Sequence, residues 1–254
     1  MNHNSPLILI SNDDGYQAGG INALIDIARG FGDVVAVAPS HPQSGKSSAI
    51  TVDTPLRLTL ARQEGPKDGL GALKLYHANG TPADCVKLAF FDALEGRTPS
   101  IALAGINHGF NSGNSVIYSG TMGAVFESAF HGVPSVGFSY GDYSPEIDFA
   151  PLTPLITQTI GQVLRDGLPA GVCLNINYPK CDKILGVKTV RASMGHWESE
   201  FERRVDPMGR RYYWLTGHYS DDNPDDPTTD TYWLARGYAT VVPCRADQTA
   251  HDLL

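Results

Sequence analysis

Two adjacent carboxylates, Asp13 and Asp14, follow directly on the apolar run Leu7-Ile8-Leu9-Ile10 in the stretch "ILISNDDG". Neighbouring negative charges repel, and Asp is a poor residue inside a strand or helix. Two readings compete. An Asp there can cap the next helix by accepting backbone N–H groups. Alternatively, the pair can hold a hard divalent cation, which prefers carboxylate oxygens and would offset their repulsion. Further polar loops carry matching chemistry. "PSHPQSGKSS" (39–48) supplies hydroxyls such as Ser44, and "GINHGFNSG" (105–113) supplies Asn107 and Asn111. Asn oxygens can ligate cations and Asn amides can donate to phosphate, although Asn and Gly also form ordinary turns. "YSGTMGA" (118–124) places Ser119, Gly120 and Thr121 at a helix start, suited either to an anion or to simple capping. "ANGTPADCV" (78–86) reads mainly as a structural helix start.

Three familiar phosphate chemistries are excluded. The residues after the first apolar run are Gly15-Tyr16-Gln17-Ala18-Gly19-Gly20, which is not the dinucleotide fingerprint. The residue two before Asp14 is Asn12, so the D-x-D pair of an aspartyl-phosphate enzyme is missing. "SGKSS" looks like the end of a P-loop, but the leading glycine is replaced by Ser40, and Pro42 removes a backbone N–H. The following "SAITVDTPLRL" reads as strand, so the required helix is also absent.

The elements that position these loops form an alternating pattern. "PLILIS" (6–11), "DVVAVAP" (33–39), "SIALAG" (100–105), "VPSVGFS" (133–139) and "GVCLNINYP" (171–179) are short apolar runs, the mark of strands buried on both faces. Helical spacing links them at 19–32, 82–94, 121–132 and 152–167. The pattern predicts an α/β fold with a doubly wound, mostly parallel, Rossmann-like sheet. In such a sheet ligands bind beyond the carboxyl ends of the strands, where the polar loops fall. Past about residue 180 the composition changes. "HWESEFERRVDPMGRRYYWLTG" (196–217) is a charged, aromatic β-hairpin. Its Trp197, Phe201, Tyr212, Tyr213 and Trp214 suit an oligomer contact or a substrate lid. "SDDNPDDPTTD" (220–230) reads as a loop and "GYATVVPCR" (237–245) as a late strand. The expected organisation is a catalytic region over 1–190, with a hairpin arm and oligomerisation tail over 191–254 in the same overall domain.

At 254 residues and 42% apolar content the chain can bury a substantial core. A net charge of −8 argues against a nucleic acid polymer as partner but allows a small phosphorylated substrate. No stretch is long and apolar enough for a membrane helix, and the N-terminus lacks signal-peptide character. Cys85, Cys173, Cys181 and Cys244 are scattered with no C-x-x-C pair, as expected of unpaired, buried thiols in a reducing cytoplasm.

Taken together, "ILISNDDGYQAGGI", "VAPSHPQSGKSSAIT", "NGTPADCVKLA", "GINHGFNSGNSVIYSGTMGAVFESAFHGVPSVGFS", "RRYYWLTG" and "GYATVVPCRADQTAHDLL" resemble the SurE family of stationary-phase survival proteins with nucleotidase activity. The resemblance runs in order along nearly the whole chain. It implies a phosphomonoesterase acting on nucleoside 5′- and 3′-monophosphates, with polyphosphate trimmed by some relatives, and one Mg²⁺ or Mn²⁺ per subunit. The implied metal ligands are Asp13, Asp14, Ser44 and Asn107. The implied phosphate side is Asn12, Gly45, Asn111, Ser119, Gly120 and Thr121, and the catalytic group is Asp13, Asp14, Asn111 and Ser119. The resemblance also implies dimers or tetramers with an exchanged C-terminal segment. One departure is Gln43, where the family usually carries Arg. Whether an Asp accepts water's proton or attacks phosphorus itself stays open at this level.

Overall fold

A computed structural model describes residues 5–144 and 146–253. The first four residues, and the last residue of the expected tail, lie outside that description. The backbone of the fold is a nine-stranded sheet in the order β3-β4-β2-β1-β5-β6-β7-β13-β8. Its centre is parallel: β4 (Leu73–Ala78), β2 (Asp33–Pro39), β1 (Leu7–Ser11), β5 (Ile101–His108), β6 (Ser135–Tyr140) and β7 (Val172–Tyr178). β3 (Leu58–Glu64) and β13 (Ala239–Arg245) join antiparallel, and β8 (Val187–Thr189) closes the far edge.

Alternation along β1 builds two cores. Ile8 and Ile10 face one side, packing with Ile21, Leu24 and Ile25 of α1 (Gly19–Ala28) and Ile156 and Ile160 of α4 (Thr153–Asp166). Leu7 and Leu9 face the other, with Cys85 and Val86 of α2 (Pro82–Leu88) and Met122 and Val125 of α3 (Gly120–Phe130). The result is the expected doubly wound arrangement, helices on both faces of the sheet. The chain steps from β1 outward through β2 to β4, then returns to the other side of β1 as β5. The β1–β5 boundary is therefore the switch point where such folds bind ligands.

Several expectations needed correction. β4, "LKLYHA", was not anticipated, because Tyr76 and His77 break the apolar run. The segment after "SGKSS" is non-helical, as expected, but becomes strand only at Leu58; residues 49–57 are irregular. The helix over 82–94 is α-helical only to Leu88 and widens into a π-helical turn over Ala89–Ala93. The acidic stretch 220–230 ends in a short helix, α5 (Asp230–Leu234). The thiols form no disulfide among the described residues, yet Cys181 is exposed rather than buried. Among the described residues no helix is long and apolar enough to cross a membrane.

The arm is two ladders in series. At its base β9 (Gly195–Glu198) pairs with β12 (His218–Asp221). Beyond it β10 (Phe201–Val205) pairs with β11 (Arg211–Leu215) through a turn in which Asp206 accepts the Arg210 N–H and Gly209 has positive φ. Every residue of β10 and β11 is exposed.

Candidate active site

Asp13 and Asp14 leave the end of β1 at the switch point, and neither caps α1. Ala18 occupies the N-cap, with no side-chain cap hydrogen bond. The loop instead turns at Gly15, whose φ of +98° favours glycine. Asn12, fully buried, braces that turn by donating from Nδ2 to the Gly15 carbonyl at 3.0 Å.

Asp13 is 4% exposed and rests against the N-terminus of α3. Thr121 Oγ1 donates to Asp13 Oδ1 at 2.5 Å. A Cβ on Gly120 would come within 2.8 Å of the Asp13 Cβ, so glycine is what lets the helix start approach the carboxylate. Burial first, and then the Asp14 charge, push the Asp13 pKa up to about 6 against the Thr121 hydrogen bond. Asp14 is also raised by burial, opposed by a 3.1 Å hydrogen bond from the His108 N–H to Oδ2. Among the described residues no Lys or Arg forms an ion pair with either carboxylate.

Asn107 stands at the end of β5, just past a register shift against β6 that falls between Ala104 and Asn107. Its Nδ2 donates to the Gly109 carbonyl at 2.9 Å, which leaves Oδ1 facing the Thr121 hydroxyl at 3.3 Å. Thr121 thus bridges Asp13 and Asn107. The loop after β2 reaches the same place: the Gln43 N–H donates to the Asp13 carbonyl at 2.7 Å. Ser44 and Gly45 follow in an exposed turn, with Gly45 at φ +72°. Ser47 pins the loop's far end by donating from Oγ to the Ile117 carbonyl at 2.6 Å.

Ser119 is the N-cap of α3, its Oγ accepting from the Met122 N–H at 3.0 Å. Among the described residues its own proton has no acceptor. Asn111 is buried and donates from Nδ2 to Ser139 Oγ at 2.9 Å. "ANGTPADCV" serves as structural capping: Thr81 and Asp84 form a reciprocal capping box, and Asp84 also accepts from Thr51.

Sequence reasoning missed the residues that hold the Asn111 loop. Asn177 Oδ1 accepts the Asn111 N–H at 2.8 Å, and Asn175 Nδ2 donates to the Asn111 carbonyl at 2.7 Å. Both lie fully buried on β7, hidden in a run that reads simply as apolar strand. Amides two apart in a buried strand share one face, and that was the available signal. Asp230 was missed too. It is fully buried, Oδ2 accepting the Gly113 N–H at 2.8 Å and Oδ1 the Ser193 N–H at 2.9 Å.

The donor set suits a hard cation. It offers two carboxylates, one of them buried without a compensating cation, beside the neutral oxygen of Asn107 and the nearby Ser44 hydroxyl. Among the described residues no three His, Cys, Asp or Glu side chains are grouped so as to hold a metal ion, so a cation here would depend on the neutral oxygens beside the two carboxylates.

The family model described as "Survival protein SurE" matches residues 8–199. A protein of Cytophaga hutchinsonii named 5′-nucleotidase SurE is 44% identical over 251 residues, 98% of this chain and 94% of that protein. One of the same name from Christiangramia forsetii is 46% identical over 259 residues, 100% of this chain and 96% of its own length. The crystal structure of the SurE protein from Aquifex aeolicus superposes with a TM-score of 0.82 at 31% identity, covering 98% of this chain and 97% of that one. On this family match and these full-length identities, the chain belongs to the SurE family.

Proposed function

We propose that the chain is a divalent-metal-dependent nucleotidase. It hydrolyses nucleoside 5′-monophosphates, and also 3′-monophosphates, to nucleoside and phosphate, with inorganic polyphosphate as a secondary substrate. The carrying observation is the carboxylate pair at the switch point. It caps no helix, faces the N-terminus of α3 and, among the described residues, forms no ion pair with Lys or Arg. The names of the full-length relatives support the substrate class.

Asp13, Asp14, Asn107 through Oδ1 and Ser44 would hold one Mg²⁺ or Mn²⁺. When bound, the ion supplies Lewis-acid polarisation of the phosphoryl group. The remaining work falls to the chain. The Gly120 and Thr121 N–H groups at the helix start, the Ser119 hydroxyl and the Asn111 amide bind phosphate oxygens and stabilise charge as the P–O bond breaks. Asn12 shapes the carboxylate loop, and Gly45 gives the phosphate side an unobstructed backbone. Water attacks phosphorus in line with the departing nucleoside oxygen, and the four loops fix that approach.

The arm supports a second part of the proposal. Its outer ladder buries none of its residues, and an isolated two-stranded hairpin is marginal in water. A second copy of the chain covers it, giving a homodimer, or a tetramer built from two such dimers, with exchanged C-terminal segments. The free thiols fit a reducing compartment, which we take to be the cytoplasm.

The test is phosphate release from a panel of 5′- and 3′-nucleotides and polyphosphate, with Mn²⁺, with Mg²⁺ and with chelator. The expected result is rapid release from 5′-nucleotides, abolished by chelator and restored by added metal. Chelator-insensitive release would refute the metal's role. Tight nucleotide binding without release would point to a regulatory binding protein.

A further inference from the structure

Trp197, at the base of the arm, is exposed like the rings of the outer ladder, but it stands beside Tyr219 at a cavity wall. It helps to enclose a cavity of about 330 Å³ beside the candidate active site. Phe110, Ser112 and Ser115 reach this cavity from the segment after β5, Tyr143 from the loop after β6, and Trp197 and Tyr219 from β9 and β12. Two of the rings are locked by glycines. The Phe110 ring lies over Gly141, where a Cβ would come within 2.1 Å of its Cζ. The Tyr219 hydroxyl donates to Asn114 Oδ1 at 2.9 Å and sits so close to Gly113 and Gly195 that a Cβ on either would approach within 2.6 Å. Trp197 meets Tyr219 edge-on at 6.3 Å, and the Phe110 N–H donates to the Tyr143 hydroxyl at 3.2 Å. The aromatic walls are therefore largely organised before anything binds.

The cavity and the carboxylates share one loop. Asn107 bonds with Thr121 at the site, the His108 N–H donates to Asp14, and Phe110 and Ser112 line the cavity. The His108 ring stands 6.2 Å from that of Tyr143, linking the two places. No charged side chain lines the cavity among the described residues. Aromatic faces with scattered hydroxyls and no charge suit a flat, neutral, π-rich ring, and they offer nothing to a sugar phosphate or polyphosphate chain.

We propose that this cavity is a nucleobase-binding subsite. Resting on the nucleotidase reading, it takes the base of the nucleotide whose phosphate lies at Asp13 and Asp14. Trp197 and Phe110 offer aromatic faces to the ring. Ser112, Ser115 and the Tyr143 hydroxyl meet its edge. Hydroxyls donate or accept as required, so this edge discriminates weakly between bases. The enzyme then prefers nucleotides to base-free phosphates while tolerating purines and pyrimidines alike.

The test compares a nucleoside 5′-monophosphate with ribose 5-phosphate, which carries the same phosphate and no base. In Trp197→Ala the ratio of their kcat/KM values falls about tenfold or more, mainly through the nucleotide's KM, as expected for loss of a stacking face. Trp197→Phe, which keeps a ring, largely restores the ratio. A ratio unchanged in Trp197→Ala, including equal losses on both substrates, overturns the proposal. A second measurement needs neither metal nor turnover. Adenosine, titrated in the presence of chelator, quenches tryptophan fluorescence in the wild type and not in Trp197→Phe. Absence of quenching in the wild type overturns the subsite. Quenching in a protein that releases no phosphate from any substrate keeps the subsite and refutes the nucleotidase reading instead.

Discussion

The switch-point loops and the arm are both polar-rich excursions from the same sheet, yet they are stabilised in opposite ways. In the loops around Asp13, polar side chains are buried and tied to one another. Thr121 bridges Asp13 and Asn107, and the Asn175–Asn177 pair holds both backbone groups of Asn111. In the outer arm ten paired residues lie open, with Trp214, Tyr213 and Phe201 largely exposed. Buried polar networks fix one geometry because an unpaired member is costly. An exposed aromatic ladder fixes little until something covers it. On the proposed reading, precise chemistry belongs to the first region and association to the second. Asp230 joins them, because its carboxylate ties Gly113 beside the site to Ser193 beneath the arm.

This contrast can be broken at several points. Asp13→Asn removes the buried charge and should lower kcat/KM on nucleotides roughly a thousandfold, about 4 kcal/mol of transition-state stabilisation, in steady-state assays with Mn²⁺. Asp230→Ala strips the acceptor from the Gly113, Ser193 and Thr231 N–H groups. It should cost about 3 kcal/mol in urea denaturation and reduce activity from a distance. Asn177→Ala frees the Asn111 N–H, with an expected loss of about 1–2 kcal/mol and a lower kcat, since the phosphate-side loop loses its anchor. Replacing the outer hairpin, 201–215, by a short Gly-Ser turn should change the stability of the isolated subunit least, by under about 1 kcal/mol. It should nevertheless lower the mass seen by light scattering. A deletion of 220–254 is a poorer probe, because it also removes β13 from the central sheet. If the hairpin replacement unfolds the subunit while Asn177→Ala is silent, the assignment of roles is reversed.

Much of the first region was legible in sequence. The strands β1, β2, β5, β6 and β7 are continuous apolar runs because both faces are covered, and their carboxyl ends locate the loops. The polar residues in those loops could be named, but their partners could not. Taken alone, the Asp13–Asp14 pair read equally as a cap, through Asp14, or as an ion site; the neighbouring loops favoured the ion, and the structure places Ala18 at the N-cap. Asn175 and Asn177 were masked by the apolar strand around them, and Asp230 by an acidic, Pro-rich stretch that looks solvated. Both depend on contacts between segments more than 60 residues apart, as in the Asn111–Asn177 bond with its separation of 66. The arm's hairpin was visible in its turn residues. Its division into two ladders falls at 199–200 and 216–217, where Ser199 and Gly217 have positive φ, and only the glycine marks the break in sequence.

The central claim is that Asp13 and Asp14 are kept unpaired for a cation. Burial raises Asp13 from 3.8 to about 6. The metal-free fold therefore holds that proton more tightly than the unfolded chain does. Its contribution to stability falls as pH rises through that window and stays low above it, a cost of order 3 kcal/mol at pH 8. Denaturation midpoints at pH 8, with chelator and with Mn²⁺, test this directly in the wild type and in Asp13→Asn. The account predicts that Asp13→Asn is the more stable protein without metal, and that Mn²⁺ stabilises the wild type strongly and the variant hardly at all. A wild type unmoved by Mn²⁺, or a variant stabilised as much as the wild type, would contradict it.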